Sequence, residues 1–127
     1  MKIAVFINAS TQPFVQQIMD FLKLYETRTR NTLGRFLGED ILIAETGKGK
    51  PVVRCSAHVQ AVIAVYTREE FDKYRKDCCI APGSKYDWTD STKVKYLYKL
   101  TDVKPVDPFI PEGKRHGFVW MEVENNG

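Results

Sequence analysis

Cysteine is scarce in this sequence: Cys55, Cys78 and Cys79 are the only three in 127 residues. An odd count with an adjacent pair is no disulfide framework, so a reducing cytoplasm is the simplest home. Cys-x-x-Cys and His-x-x-x-His spacings are missing as well. Cys55, Cys78, Cys79, His58 and His116 therefore do not read as a zinc site, and no metal or cofactor is expected. Charge of one sign is not in excess. A net charge of +3 permits nucleic acid as a partner without arguing for it. Long hydrophobic runs are absent too. Residues 3–7 are too short for a secretory signal, and polar residues follow at once. Nothing approaches the length of a membrane span, so a membrane is not expected as a partner. Repeats, low-complexity tracts and linkers are lacking, which leaves a single domain over residues 1–127. Gly47-Lys48-Gly49-Lys50 lacks the phosphate-loop pattern. Pro51 and a strand follow it where a helix would be needed, so it reads as a hairpin turn.

What is present is ordinary for a globular domain, with 43% hydrophobic and 28% charged residues. Residues 2–9 predict a strand with Ile3, Val5 and Ile7 on one face. Ser10 or Thr11 is expected to cap a helix that tolerates Pro13 in its first turn. Phe14, Ile18, Phe21, Leu22 and Tyr25 then form one apolar stripe that packs on a sheet. Residues 26–38 read as a loop or short extended piece, and residues 40–46 as a second strand. From Val53 the odd positions Val53, Cys55, Ala57, Val59, Ala61, Ile63 and Val65 alternate with Arg54, Ser56, His58 and Gln60. That is period two over a long run. Thr67-Arg68-Glu69-Glu70 is a capping box opening a short helix, with Phe71 and Tyr74 inward. Residues 77–93 are aperiodic and contain Pro82 and Gly83, which predicts a long loop. Residues 94–101 predict a strand with Val94, Tyr96, Tyr98 and Leu100 opposed to Lys95 and Lys99. Beyond Pro105, Pro108 and Pro111, residues 116–124 form the last strand. This order predicts an α+β fold, a small mixed or antiparallel β-barrel with two packed helices.

The densest chemistry lies in Lys23-Leu24-Tyr25-Glu26-Thr27-Arg28. On a helix Lys23 and Glu26 are i,i+3 neighbours. If the chain then extends, Glu26, Arg28 and Arg30 alternate onto one side, with Thr27 and Thr29 pointing away. An ammonium and a guanidinium can hold a phosphate or a polar base edge. A carboxylate between them can accept from a base amino group or act as a general base. The plainer alternative is a solvated ion-pair network at a helix end. A second candidate is the strand face carrying Ser56 and His58, which are neighbours with no orienting carboxylate visible; otherwise it is a wet strand face. A third is the loop Lys85-Tyr86-Asp87-Trp88, where rings could stack on a base, Lys85 meet a phosphate and Asp87 read a base edge. Its alternative is Trp88 as the plug of a minor core. The lysines of the C-terminal third, Lys95 and Lys99 among them, would add non-specific attraction to phosphate.

The run Lys-x-x-Glu-x-Arg after a strand and an amphipathic helix resembles the signature of the ASCH (activating signal cointegrator homology) family of PUA-like barrels. Residues 33–44 (LGRFLGEDILIA) resemble that family's turn into its second strand, and residues 96–106 (YLYKLTDVKPV) a strand shared by related PUA-like proteins. The resemblance implies a cleft beside the first helix, lined or supported by Lys23, Glu26 and Arg28. It implies RNA, a nucleotide or a nucleoside as partner, since the family is generally taken to bind these. Some members remove the acetyl group from acetylated cytidine, and nuclease activity is known for a member. The deacetylating members carry a threonine nucleophile where this chain has Glu26. The sequence therefore predicts a binding module first, with a small hydrolase using Lys23 or Glu26 as base second, and a protein-interaction domain third.

Overall fold

The computed structural model describes residues 2–125. In chain order its elements are β1 (Lys2–Asn8), α1 (Phe14–Met19), β2 (Tyr25–Arg28), a single 3-10 turn (Gly34–Phe36), β3 (Asp40–Thr46), β4 (Val52–Val65), α2 (Arg68–Cys78), β5 (Lys95–Phe109), β6 (Gly113–His116) and β7 (Trp120–Val123). The strands form one seven-stranded sheet in the order β2-β5-β4-β3-β1-β7-β6. β1 pairs with β3 in parallel, and the other ladders are antiparallel. The fold is α+β with a mixed sheet, as the sequence predicts, but the sheet does not close. β2 and β6 stand at its two ends, each four residues long, which keeps the exposed edges short.

β1 sits inside the sheet and is apolar on both faces. Val5 and Ile7 meet Phe14, Val15 and Ile18 of α1 in the main core, together with Ile43, Val59 and Tyr98. Ala4 and Phe6 point the other way, into a smaller cluster with Val53, Met121 and Val123. The alternation along β4 holds through Val59, with Val53, Cys55, Ala57 and Val59 buried, and is then lost, since residues 61–64 are all partly buried before Val65. Its register slips at three places against β5 and once against β3, bulges that curl the sheet. A third cluster gathers Phe71 and Cys78 of α2 with Val65, Ile80, Trp88 and Leu97.

Five boundaries differ from those predicted. α1 begins at Phe14 with Pro13 in the cap position and no side-chain cap, so Ser10 and Thr11 do not serve. It also ends at Met19. Phe21 adopts a left-handed backbone (φ 59°), which reverses the chain, leaves Phe21 67% exposed and frees Tyr25 to start β2. At α2 Thr67 caps the helix, the Glu70 amide donating to Thr67 Oγ1 at 3.1 Å, while the Glu70 carboxylate reaches the Tyr66 amide and not that of Thr67, and the helix runs on through Cys78. β5 continues through Pro105 and Pro108. That is permitted because β2 pairs only with residues 96–99 of β5, so beyond them one side of the strand has no partner to receive an N–H. The final segment is a hairpin of β6 and β7 that turns at Gly117 (φ 63°), in place of one strand from His116. Among the described residues no helix is long and apolar enough to cross a membrane.

Candidate functional site

The reversal at Phe21 carries Lys23 inward, where it is 2% exposed. Its ammonium donates to the Cys78 carbonyl at 2.6 Å, lies 3.6 Å from Glu26 Oε1 and sits 4.4 Å from the centroid of the Phe14 ring. The chain then extends as β2, and strand alternation puts Glu26 and Arg28 on one face. Glu26 Oε1 accepts from the Thr27 amide at 3.0 Å, and Oε2 accepts from Arg28 Nη2 at 3.1 Å. The same Nη2 donates to the Phe6 carbonyl at 2.7 Å. Lys23 is thus tied to α2 and Arg28 to β1. Glu26, buried between two cations, still has lone pairs to offer, since each of its oxygens accepts a single hydrogen bond.

Above this pair lies an open cleft of about 230 Å³. Glu26 and Arg28 form one side, with Thr27 and Thr29 at its border, although strand alternation predicted those threonines on the far side. Phe14 and Tyr86 form an aromatic wall, their rings edge to face at 5.4 Å. Ile7, Asn8 and Lys95 complete it. Lys95 is buried, donates to the Tyr86 carbonyl and lies 5.2 Å from the Phe71 ring. Burial lowers its ammonium below the ordinary lysine range, against the opposing pull of Asp87. Lys23 does not reach the cleft surface; it stands behind Phe14 and Glu26. The Lys23 ammonium and the Arg28 guanidinium flank one carboxylate, and Lys95 lines the same cleft, so the site carries excess positive charge.

Family models give no match to this sequence, and neither do curated proteins. The likeness is in three dimensions. The crystal structure of ASCH from Zymomonas mobilis superposes with a TM-score of 0.68 at 22% identity, covering 83% of this chain and 71% of that one. Two variants of the same protein, one tyrosine-to-phenylalanine and one serine-to-alanine, each superpose with a TM-score of 0.69 at 22% identity. They cover 84% of this chain and 74% and 72% of theirs. The chain has the ASCH fold.

Within that ASCH fold the other residues singled out by sequence are dispersed. Arg30 lies past the end of β2, exposed and away from the cleft lining. Ser56 and His58 share a half-exposed face of β4 outside the cleft, and His58 Nδ1 meets Asp40 Oδ1 at 2.8 Å on the neighbouring strand. The carboxylate not visible in sequence is therefore present, but it is itself largely exposed. In the 85–88 loop only Tyr86 reaches the cleft. Lys85 is exposed, 5.5 Å from the Tyr86 ring. Trp88 plugs the third core cluster against Phe71, at 8% exposed. Asp87 is a buried anchor for its own loop, accepting from the Gly83 and Trp88 amides at 2.7 Å each and pairing with Arg75 at 2.7 Å. Burial pushes its carboxyl up, but those hydrogen bonds and the guanidinium outweigh this and hold it below the usual range.

Lys95 was expected to face solvent. Leu97 shares its parity along β5 and is fully buried, because α2 covers that face. A leucine among the supposed polar positions of residues 94–101 was the available signal. Asn8 and Phe14 line the cleft from β1 and α1 and carried no signal beyond core periodicity. Among the described residues no group of three His, Cys, Asp or Glu side chains is placed to hold a metal ion.

Proposed function

We propose that the cleft binds one unstacked base of a nucleotide or of single-stranded RNA, and that the protein is a binding module. The observation that carries this is the Glu26 carboxylate, held between cations at the side of a cleft whose facing wall is aromatic. At about 230 Å³ the cleft is smaller than the roughly 300–1,000 Å³ typical of drug-sized sites, which suits one planar ring. Tyr86 supplies a stacking surface, Glu26 accepts from a base amino or imino group, and Arg28 and Lys95 meet carbonyl or phosphate oxygens. Lys23 contributes from behind, as a fixed charge that keeps Glu26 in place.

Calorimetry with the four ribonucleoside monophosphates tests this on the native chain, on Tyr86→Ala and on Glu26→Gln. Tyr86→Ala removes a stacking contact and should weaken binding about tenfold. Glu26→Gln preserves shape and should change which base is preferred. Absence of binding at millimolar nucleotide rejects the proposal.

A second reading is a hydrolase acting on a modified nucleoside of the acetylated-cytidine type or on RNA. It is favoured by one observation: Lys95 and Glu26 line the same cleft, the ammonium partly starved of water. Glu26 would take a proton from water attacking the carbonyl, and Lys95 would donate to the oxygen that gains charge. Mass spectrometry of acetylated cytidine incubated with a high concentration of the protein decides it, since no product means no such activity.

A further inference from the structure

A second hollow of about 470 Å³ adjoins the cleft. Asn8 and Arg28 belong to both walls. Apart from Phe6 of β1, its remaining wall comes from elements the cleft does not use, among them Gly47 and Gly49 of the β3–β4 turn, Arg115 of β6, and Phe118 between β6 and β7. Among the described residues no acidic side chain lines it. Lys48 and Lys50, both exposed, flank Gly49 on the same turn. The hollow is therefore basic, and Phe118 stands at its rim 92% exposed. An exposed ring at the tip of a hairpin contributes little to the core, and beside clustered cations it is what a stacking platform requires.

The walls are held in place. Gly47 has φ 91°, and a Cβ there would come within 2.8 Å of Asn8 Oδ1 and 2.9 Å of the Ser10 amide nitrogen. The turn is thus pressed against the end of β1, and only glycine permits it. The Arg115 guanidinium lies 5.3 Å from the Phe6 ring, which steadies its position. Arg28 Nη2 is committed to Glu26 and Phe6 and Nε is buried, so Nη1 is the nitrogen left to meet a ligand.

We infer that the second hollow receives the neighbouring nucleotide of a single-stranded RNA whose other base fills the first cleft, with the linking phosphate on Arg28 and the second base stacked on Phe118. The inference rests on the base-binding reading of the first cleft and extends it: the ligand is an oligonucleotide and not a free nucleoside. A phosphate joining two bases must lie between them, and Arg28 is the cation common to both walls. Arg115 and the turn lysines then meet the backbone as it leaves.

The test compares a ribonucleoside monophosphate, a ribodinucleotide containing the same base and the matched deoxydinucleotide. Each is titrated against the native chain, Phe118→Ala and Arg115→Gln. The native chain should bind the ribodinucleotide at least about tenfold more tightly than the monophosphate. Phe118→Ala should remove between roughly fivefold and a hundredfold of that affinity and leave the monophosphate unchanged. Arg115→Gln should weaken the dinucleotide alone and flatten its salt dependence. A monophosphate that binds, with no gain from the second nucleotide, overturns this inference and spares the first cleft. Equal losses for both ligands in Phe118→Ala overturn it as well. Failure of the monophosphate to bind overturns the base-binding reading itself. Equal affinity for the deoxydinucleotide overturns the assignment to RNA.

Discussion

Lys23→Ala separates a lysine that holds the fold from one that meets a ligand. The ammonium is 2% exposed, 3.6 Å from Glu26 Oε1 and 2.6 Å from the Cys78 carbonyl. Removing one partner of a buried ion pair costs about 3–5 kcal/mol, because the other charge is stranded. Glu26 keeps Arg28 and the Thr27 amide, which argues for the lower end. The orphaned Cys78 carbonyl restores about 1 kcal/mol of that cost. The expected loss is about 3–4 kcal/mol. For a chain of this length that lowers Tm by about 10–20 °C. Thermal and urea unfolding followed by tryptophan fluorescence would read it, since Trp88 and Trp120 are both buried. Lys23→Met keeps the packing of the stem and should lose less. Adding Glu26→Gln to Lys23→Met should recover none of the loss, because Arg28 then loses its carboxylate as well. If Lys23→Ala melts within about 2 °C of the native chain, the ammonium is not structural and this reasoning fails.

Phe21→Gly relieves a left-handed backbone that costs a non-glycine residue about 1 kcal/mol, and the lost ring is 67% exposed, so Tm should rise by a few degrees. The thiols should differ in reactivity. Burial pushes Cys55 up to about 11 and Cys78 up to about 12, so at pH 8 an alkylating reagent followed by peptide mapping should label the half-buried Cys79 first. The same two thiols hold their protons in the folded state where the unfolded chain has lost them, so stability should fall as pH rises above about 9. Asp87 behaves in the opposite sense. Its folded carboxyl titrates below the unfolded value, so its contribution is complete above about pH 4 and lost as pH falls through the lower folded value. Asp87→Asn should flatten that acid limb in a plot of unfolding free energy against pH.

The strands that were legible are those whose environment has a period. β3, and β4 as far as Val59, lie inside the sheet with one face regularly buried, and their apolar residues alternate accordingly. The ends of α1 and β5 were not legible, because each is decided by a partner far away in sequence. Phe21 carries the helical stripe onward in sequence, but the burial of Lys23 against Cys78 favours the reversal. Pro105 reads as a break until it is known that one side of β5 is free there. The cleft was half legible. Glu26 and Arg28 follow from strand alternation, whereas Lys95 enters because α2 covers a face of β5 that looked polar. Trp88 and Asp87 showed the composition of a binding loop, yet a long loop over a small core needs an apolar plug and a buried anchor, and these residues serve as both.

The spacing Lys-x-x-Glu-x-Arg divides fold from chemistry within six residues. Lys23 reaches inward to the backbone of α2, and Arg28 reaches across to the backbone of β1. Both bonds are to carbonyls, so they depend on the path of the chain and not on which side chains are nearby. Glu26 between them is the member that both faces the cleft and keeps lone pairs free. A change at that position can alter what the cleft does while both backbone ties remain, at the cost of leaving the buried Lys23 without its carboxylate. The motif therefore reports the fold more securely than the activity. The threonine that the sequence resemblance implies for deacetylating proteins and the carboxylate proposed to read a base would stand at one place on one scaffold, so exchanging Glu26 for threonine tests the chemistry without taking away either backbone tie.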